Sequence, residues 1–306
     1  MYIATACPCC QSTEFTEKAA IVAPFLAHYA VGKPPFLCKL LQCSTCSFRF
    51  FDVRLEPIEV ERLYSGYRGE RYFVERHRWE FWYSRKLNDG IGGDPEEIAH
   101  RVAALERIVR PHVDLASVDA VLDYGGDRGQ FIPQPLGRKK FVYELSDAVP
   151  EPGVTRIGSE SELKGMKFDF IMVLGVLEHC SEPATVLEQL RSYMNPGAIL
   201  CVGVPHERYG IGFAGKGGLY RAYLKALLKA PRALIAVDLY SSAARIRLNH
   251  IPPLGIIKCH EHLNFFNQRS MQALLERTGF EVVDSRIEDI AKYPARSEQL
   301  YVLARL

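Results

Sequence analysis

The 306-residue sequence lacks any stretch of about 18 uninterrupted apolar residues. It also lacks a basic leader followed by an apolar segment at its start, MYIATACPCC. No spanning helix or secretion signal is therefore expected, and the chain reads as cytoplasmic. Net charge is scarce too, since 38 Lys and Arg stand against 36 Asp and Glu for a formal +2. That excludes a polyelectrolyte that finds nucleic acid through charge alone. Internal repeats and low-complexity tracts are absent, which excludes solenoids and disordered tails. What remains, 48% hydrophobic and 24% charged, is an ordinary globular composition. The length suits one large domain and a smaller one.

Cysteine is plentiful in one place only. Of 9 cysteines, Cys7, Cys9, Cys10, Cys38, Cys43 and Cys46 crowd the N-terminus. Cys7-Pro-Cys-Cys10 and Cys43-Ser-Thr-Cys46 are C-x-x-C turns, each able to bring two thiolates to one tetrahedral Zn²⁺. A closed set of Cys7, Cys10, Cys43 and Cys46 predicts a structural zinc with no open position for water, with Cys9 as an alternative member of the first pair. Cys180, Cys201 and Cys259 read as buried small hydrophobes. Residues 1–55 thus form a small zinc-binding module with strand-like runs LLQC and FRFFDV. Residues 56–93, rich in aromatics and arginines, read as a helical cap or linker.

Residues 94–306 have a different rhythm. Asp94-Pro95-Glu96-Glu97 announces a helix whose apolar positions Ile98, Val102, Leu105, Ile108 and Val109 share a face. AVLDY, KFVYEL, FDFIMVLG and GAILCVGVP then alternate with turns and the helix VLEQLRSYM. After the helix SMQALLERTGF come EVVDSRIEDI and EQLYVLARL, close enough to pair antiparallel. The expected fold is α/β: a Rossmann-like, mostly parallel seven-stranded sheet with an antiparallel C-terminal hairpin, plus the zinc module. Residues 207–258 are too long for a simple connection and read as a lid insert, basic and amphipathic, broken at Pro231.

In VLDYGGDRGQFI, Val121 to Ile132, a strand ends in a carboxylate and a glycine-rich turn. A ligand is expected there, at the carboxyl end of the first strand. Glu144, after the second strand, is placed to accept ribose hydroxyls. With FDFIMVLGVLEHCSEP and MNPGAILCVGVP in this order, Val118 to Leu306 resembles the class I S-adenosylmethionine-dependent methyltransferases. The resemblance implies S-adenosylmethionine as cofactor, with Asp123, Gly125, Gly126 and Gly129 forming its loop. It further implies Glu144 on the ribose, and Leu174 with Gly175 beside the methionyl group. Asp127 departs from the family's D-x-G-x-G-x-G. Aspartate is a tolerable residue at positive φ, and its charge suits a cationic cofactor better than a pyrophosphate.

The cysteine-rich start and KCHEHLNFF resemble the sugar C-methyltransferases, whose Y-x-E-H motif carries catalytic residues. That match gives Glu261 and His262 catalytic positions, with His262 the general base and His179 of VLEH a second candidate. Cys259 stands in place of the tyrosine, so O-, N- and C-methylation all stay open. His260 and His206 are lesser candidates. The expected acceptor is a sugar or other small anionic carbohydrate derivative, nucleotide-linked or glycan-linked, and the basic insert suggests peripheral contact with an anionic membrane. An rRNA base methyltransferase is the first rival, disfavoured by the weak basic footprint. A non-catalytic binding protein that kept the fold is the second.

Overall fold

The computed structural model describes residues 1–90, 92–290 and 298–306. Ile91, in the loop expected to end the helical cap, lies outside the described residues, as do positions 291–297. The chain divides into two compact units. One comprises 1–7, 11–89 and 207–265, the other 90–206 and 266–306 with the tripeptide 8–10.

The second unit is built on seven strands: β1 Ala120–Tyr124, β2 Lys139–Tyr143, β3 Val154–Ile157, β4 Phe168–Leu174, β5 Met194–Pro205, β6 Glu281–Asp289 and β7 Glu298–Arg305. Their order is β6-β7-β5-β4-β1-β2-β3. Strands β1 to β5 pair in parallel, and β7 lies antiparallel to both β5 and β6. The expected parallel sheet with its antiparallel hairpin is therefore present. Sequence reading singled out every strand but β3. Only four residues long, VTRI carries one fully buried side chain and little periodicity.

Asp94 caps the helix Pro95–Val109 as expected, its carboxylate accepting the Glu96 and Glu97 N–H groups at 2.8 and 3.2 Å. The buried face Ala104, Leu105, Ile108 and Val109 packs with Val121, Met172, Cys201 and Leu303 into the sheet's core. VLEQLRSYM is helical only to Ser192, because Met194 already pairs with Phe168 in the sheet. Strand order reverses between β1 and β4, and a crevice at the carboxyl ends of such strands is where α/β sheets bind ligands.

The first unit has its own five-stranded sheet, ordered Lys258–Cys259, Phe15–Val22, Leu37–Cys43, Arg49–Phe51, Asn264–Phe265. Chain from beyond residue 257 thus supplies both edges of an N-terminal sheet. The insert is two helices, Gly217–Leu228 and Pro231–Leu248, with Pro231 at the first turn of the second. Leu224, Leu227 and Leu234 pack on Ile21 and Ile256. Val22, Phe25, Phe51, Tyr72, Tyr209 and Phe265 belong to one core. The boundary drawn at residue 55 and the end of the insert at 258 therefore fall inside a single hydrophobic cluster, whereas those at 93 and 207 lie close to the breaks between the units. No helix among the described residues is long and apolar enough to cross a membrane.

Candidate active site and cysteine centre

Asp123 is the penultimate residue of β1, and its side chain is fully buried. Neither carboxylate oxygen has a hydrogen-bond partner among the described residues. Burial above all, then the charges of Glu144 and Asp127, push its pKa up to about 7. The turn is shaped around this group. A Cβ on Gly126 would stand 2.1 Å from the Asp123 carboxyl carbon, so only glycine fits there. Gly125, Gly129 and Gly175 all take left-handed backbone, with φ of 71°, 74° and 72°.

Asp127 does the same at φ 56°. The sequence's departure from the glycine pattern thus occupies the conformation that glycine would have supplied. Its N–H donates to Glu144 Oε2 at 3.1 Å, while Ser146 N–H donates to Glu144 Oε1 at 2.8 Å. Glu144 is thereby locked between the β1 turn and the end of β2. Each oxygen keeps a lone pair for a further donor. Leu174, the last residue of β4, and Gly175 after it border a small recess that Arg101, Phe131 and Tyr301 also line.

Substituting Asp127 by glycine is expected to leave cofactor affinity intact or tighter and the melting temperature unchanged or higher. Glycine removes a strained φ at some entropic cost, and it removes a charge that holds Asp123 protonated. Calorimetric titration alongside a thermal melt reads both; an affinity loss beyond about tenfold (about 1.4 kcal/mol) would refute this account of the loop.

A model of the methyltransferase domain family matches residues 94–285, more than half of the chain. The chain belongs to that family. It is an S-adenosylmethionine-dependent methyltransferase, and no curated protein matches it. Solved structures with a similar fold include the N-methyltransferase NodS of Bradyrhizobium japonicum with S-adenosylhomocysteine, at 13% identity and TM-score 0.40 over 70% of this chain and 88% of that one. The Burkholderia thailandensis 1,6-didemethyltoxoflavin-N1-methyltransferase matches at 15% and 0.46 over 86% and 97%. The magnesium protoporphyrin IX methyltransferase of Synechocystis matches at 14% and 0.43 over 76% and 100%. The turn fits a sulfonium cofactor bearing an α-ammonium: it offers an unpartnered buried carboxylate and a cradle that a single Cβ would fill.

The expected catalytic residues divide between the two units. His179 follows β4 in a turn of the second unit, its N–H donating to the Val176 carbonyl at 3.0 Å. Glu261 and His262 belong to the first unit. Glu261 is buried and accepts from the Tyr72 hydroxyl and from Arg76 Nη1, the latter at 3.1 Å. Burial works to raise its pKa, but Arg76, His260 and Tyr72 outweigh it and hold the carboxyl well below the usual range. His260 Nε2 lies 3.0 Å from Glu80, and Lys258 joins Glu80 to Asp238 at 3.2 and 2.7 Å.

His262 Nδ1 meets Glu207 Oε1 at 2.6 Å and its side chain is 36% exposed. Burial raises the Glu207 pKa, yet the hydrogen bond and charge of His262, with Arg245 and Arg49, bring it down to about 2. An ionised carboxylate on Nδ1 fixes the imidazole's tautomer. Sequence reading missed Glu207. The His206-Glu207 pair at the end of GAILCVGVPHE was the available signal, but its partner lies 55 positions on. His206 instead faces Glu298 at 3.1 Å.

The cysteines form two matching turns. Gln11 N–H donates to the Cys7 carbonyl at 2.9 Å and Ser47 N–H to the Cys43 carbonyl at 3.0 Å. Gln11 and Ser47 both take left-handed φ, 62° and 60°. Cys7 N–H reaches Ser12 O at 2.8 Å just as Cys43 N–H reaches Phe48 O at 2.9 Å. The sulfurs of Cys7, Cys10, Cys43 and Cys46 all lie within 4.8 Å of one another, with Cys7 and Cys46 3.6 Å apart. Tetrahedral zinc–thiolate bonds of about 2.3 Å place sulfurs roughly 3.8 Å apart, so the donor set fits that ion. Cys9 is buried and is not a member of the cluster.

Proposed function

We propose that this methyltransferase modifies a sugar or other small anionic carbohydrate derivative, with His262 as general base and a structural zinc in its cysteine cluster. The observation that carries the cofactor site is Asp123, a buried carboxylate with no hydrogen-bond partner among the described residues, aimed at the turn through Gly126. S-adenosylmethionine, when bound, supplies the electrophilic methyl group. Asp123 holds its positive charge, Glu144 takes the ribose hydroxyls, and Leu174 with Gly175 flank the methionyl chain. Arg101, which pairs with Glu97 at 2.6 Å, stacks over Phe131 at 5.3 Å and lines the recess, and supports an acceptor with negative charge.

Glu261 is a poor proton acceptor near neutral pH because its neighbours hold it ionised. Its role is to fix Tyr72, Arg76 and His260. The base role passes to His262, with Glu207 positioning it and His179 orienting the loop after β4. His262→Ala is expected to keep S-adenosylhomocysteine affinity and lose at least about 10²-fold in kcat. Glu207→Gln should lower kcat less and move the pH–rate profile to lower pH, since the imidazolium loses its counter-charge. Turnover of His262→Ala at the wild-type rate would remove His262 from the mechanism.

A further inference from the structure

The insert 207–258 contains two acids, and neither presents a free charge to solvent. Glu207 pairs with His262 and Arg245, and Asp238 is 2% exposed and pairs with Lys258. Lys216, Arg221, Lys225, Lys229, Arg232 and Arg247 are all exposed, and none joins an ion pair among the described residues. The insert also exposes six large apolar side chains. Phe213 is 90% exposed, Leu219 91%, Ile246 78%, Leu254 74%, Leu248 72% and Tyr240 49%. Among the other large apolar side chains of the described residues only Val149 exceeds 58%.

Hydrogen bonds fix the backbone beside several of these residues. Gly210 N–H donates to Asn249 O at 2.9 Å and Ile251 N–H to Gly210 O at 2.7 Å. These tie the loop bearing Phe213 to the helix end bearing Ile246 and Leu248. Leu254 has a left-handed φ of 59°, a costly conformation for a branched side chain. It is pinned there by Tyr223, whose hydroxyl donates to its carbonyl at 2.6 Å, and by Tyr220, which donates to Gly255 O at 2.9 Å. Strain of this kind persists only where surroundings enforce it.

We propose that this face docks the protein onto an anionic phospholipid bilayer, cations on the headgroups and Phe213, Ile246, Leu248 and Leu254 in the interface. Apolar tips among one-sign charge are what such a surface rewards. A polyphosphate chain would engage the cations and leave the apolar side chains in water. A second copy would set cations against cations. The proposal does not depend on the identity of the methyl acceptor.

The test is sedimentation of the full chain with vesicles of phosphatidylcholine alone and with about 30% phosphatidylglycerol added. Binding is expected only to the anionic vesicles, weakening as salt screens it. Lys225→Ala and Lys229→Ala should each lower partition roughly fivefold, and the double variant Phe213→Ser with Leu248→Ser by at least about tenfold. S-adenosylhomocysteine affinity and melting temperature should stay unchanged in every variant, which separates this proposal from the cofactor reading. Equal binding to both vesicle types, variants that partition like wild type, a dimer abolished by Phe213→Ser, or RNA that displaces the vesicles would each overturn it.

Discussion

Replacing Cys43 by serine is expected to unfold the N-terminal sheet. Cys43 ends the central strand Leu37–Cys43, pairs with Phe15, and supplies one of four clustered sulfurs. A closed four-thiolate zinc contributes on the order of 10 kcal/mol of folding free energy, as much as the whole stability of a typical domain. Wild-type protein should carry about one zinc per chain by elemental analysis, resist mild chelation, and melt cooperatively. The serine variant should lose zinc and melt at least about 10 °C lower, whereas Cys9→Ser should keep its metal because Cys9 stands outside the cluster. Metal well below one per chain, with no change on Cys43→Ser, would contradict the assignment.

Asp123→Asn should separate stability from binding. The folded value of about 7 lies above the ordinary 3.8, so the fold favours the protonated carboxyl. Its destabilisation is absent below about pH 4, grows between pH 4 and 7, and is complete above pH 7. The full effect is on the order of 4 kcal/mol, an upper figure because burial relaxes locally. Asparagine should therefore raise the melting temperature of the cofactor-free protein at pH 8 and raise it far less at pH 4.5. Cofactor binding should move the other way. Losing the charge opposite a cation costs at least about 10²-fold in affinity. Wild-type affinity should fall as pH drops below 7, by up to about tenfold per pH unit, and the variant's should not. A variant that binds like wild type would show that Asp123 does not face the cation.

Much of the second unit was legible because its signals are local. Ala120–Tyr124 is an apolar run stopped by a carboxylate and glycines, and Asp94-Pro95 caps a helix within three residues. The C-x-x-C turns are equally local. What escaped was non-local. Lys258–Cys259 and Asn264–Phe265 are two-residue strands with no pattern of their own, and they exist only because strands from residues 15–51 accept them. The insert therefore joins a core that its sequence position hides. Glu207 and His262 meet through the same folding-back. Glu261 was found as a residue but not as a partner, since Tyr72 and Arg76 lie nearly two hundred positions earlier. Asp127 looked like a flaw in a glycine motif, and its φ of 56° shows it filling the motif's conformation.

A structure determined with S-adenosylhomocysteine tests the central claim most directly. The account predicts the ribose hydroxyls on Glu144, the α-ammonium on the Asp123 side of the Gly125–Gly126 turn, and the sulfur beside Leu174 and Gly175. A ligand bound elsewhere, or none at saturating concentration, would contradict it.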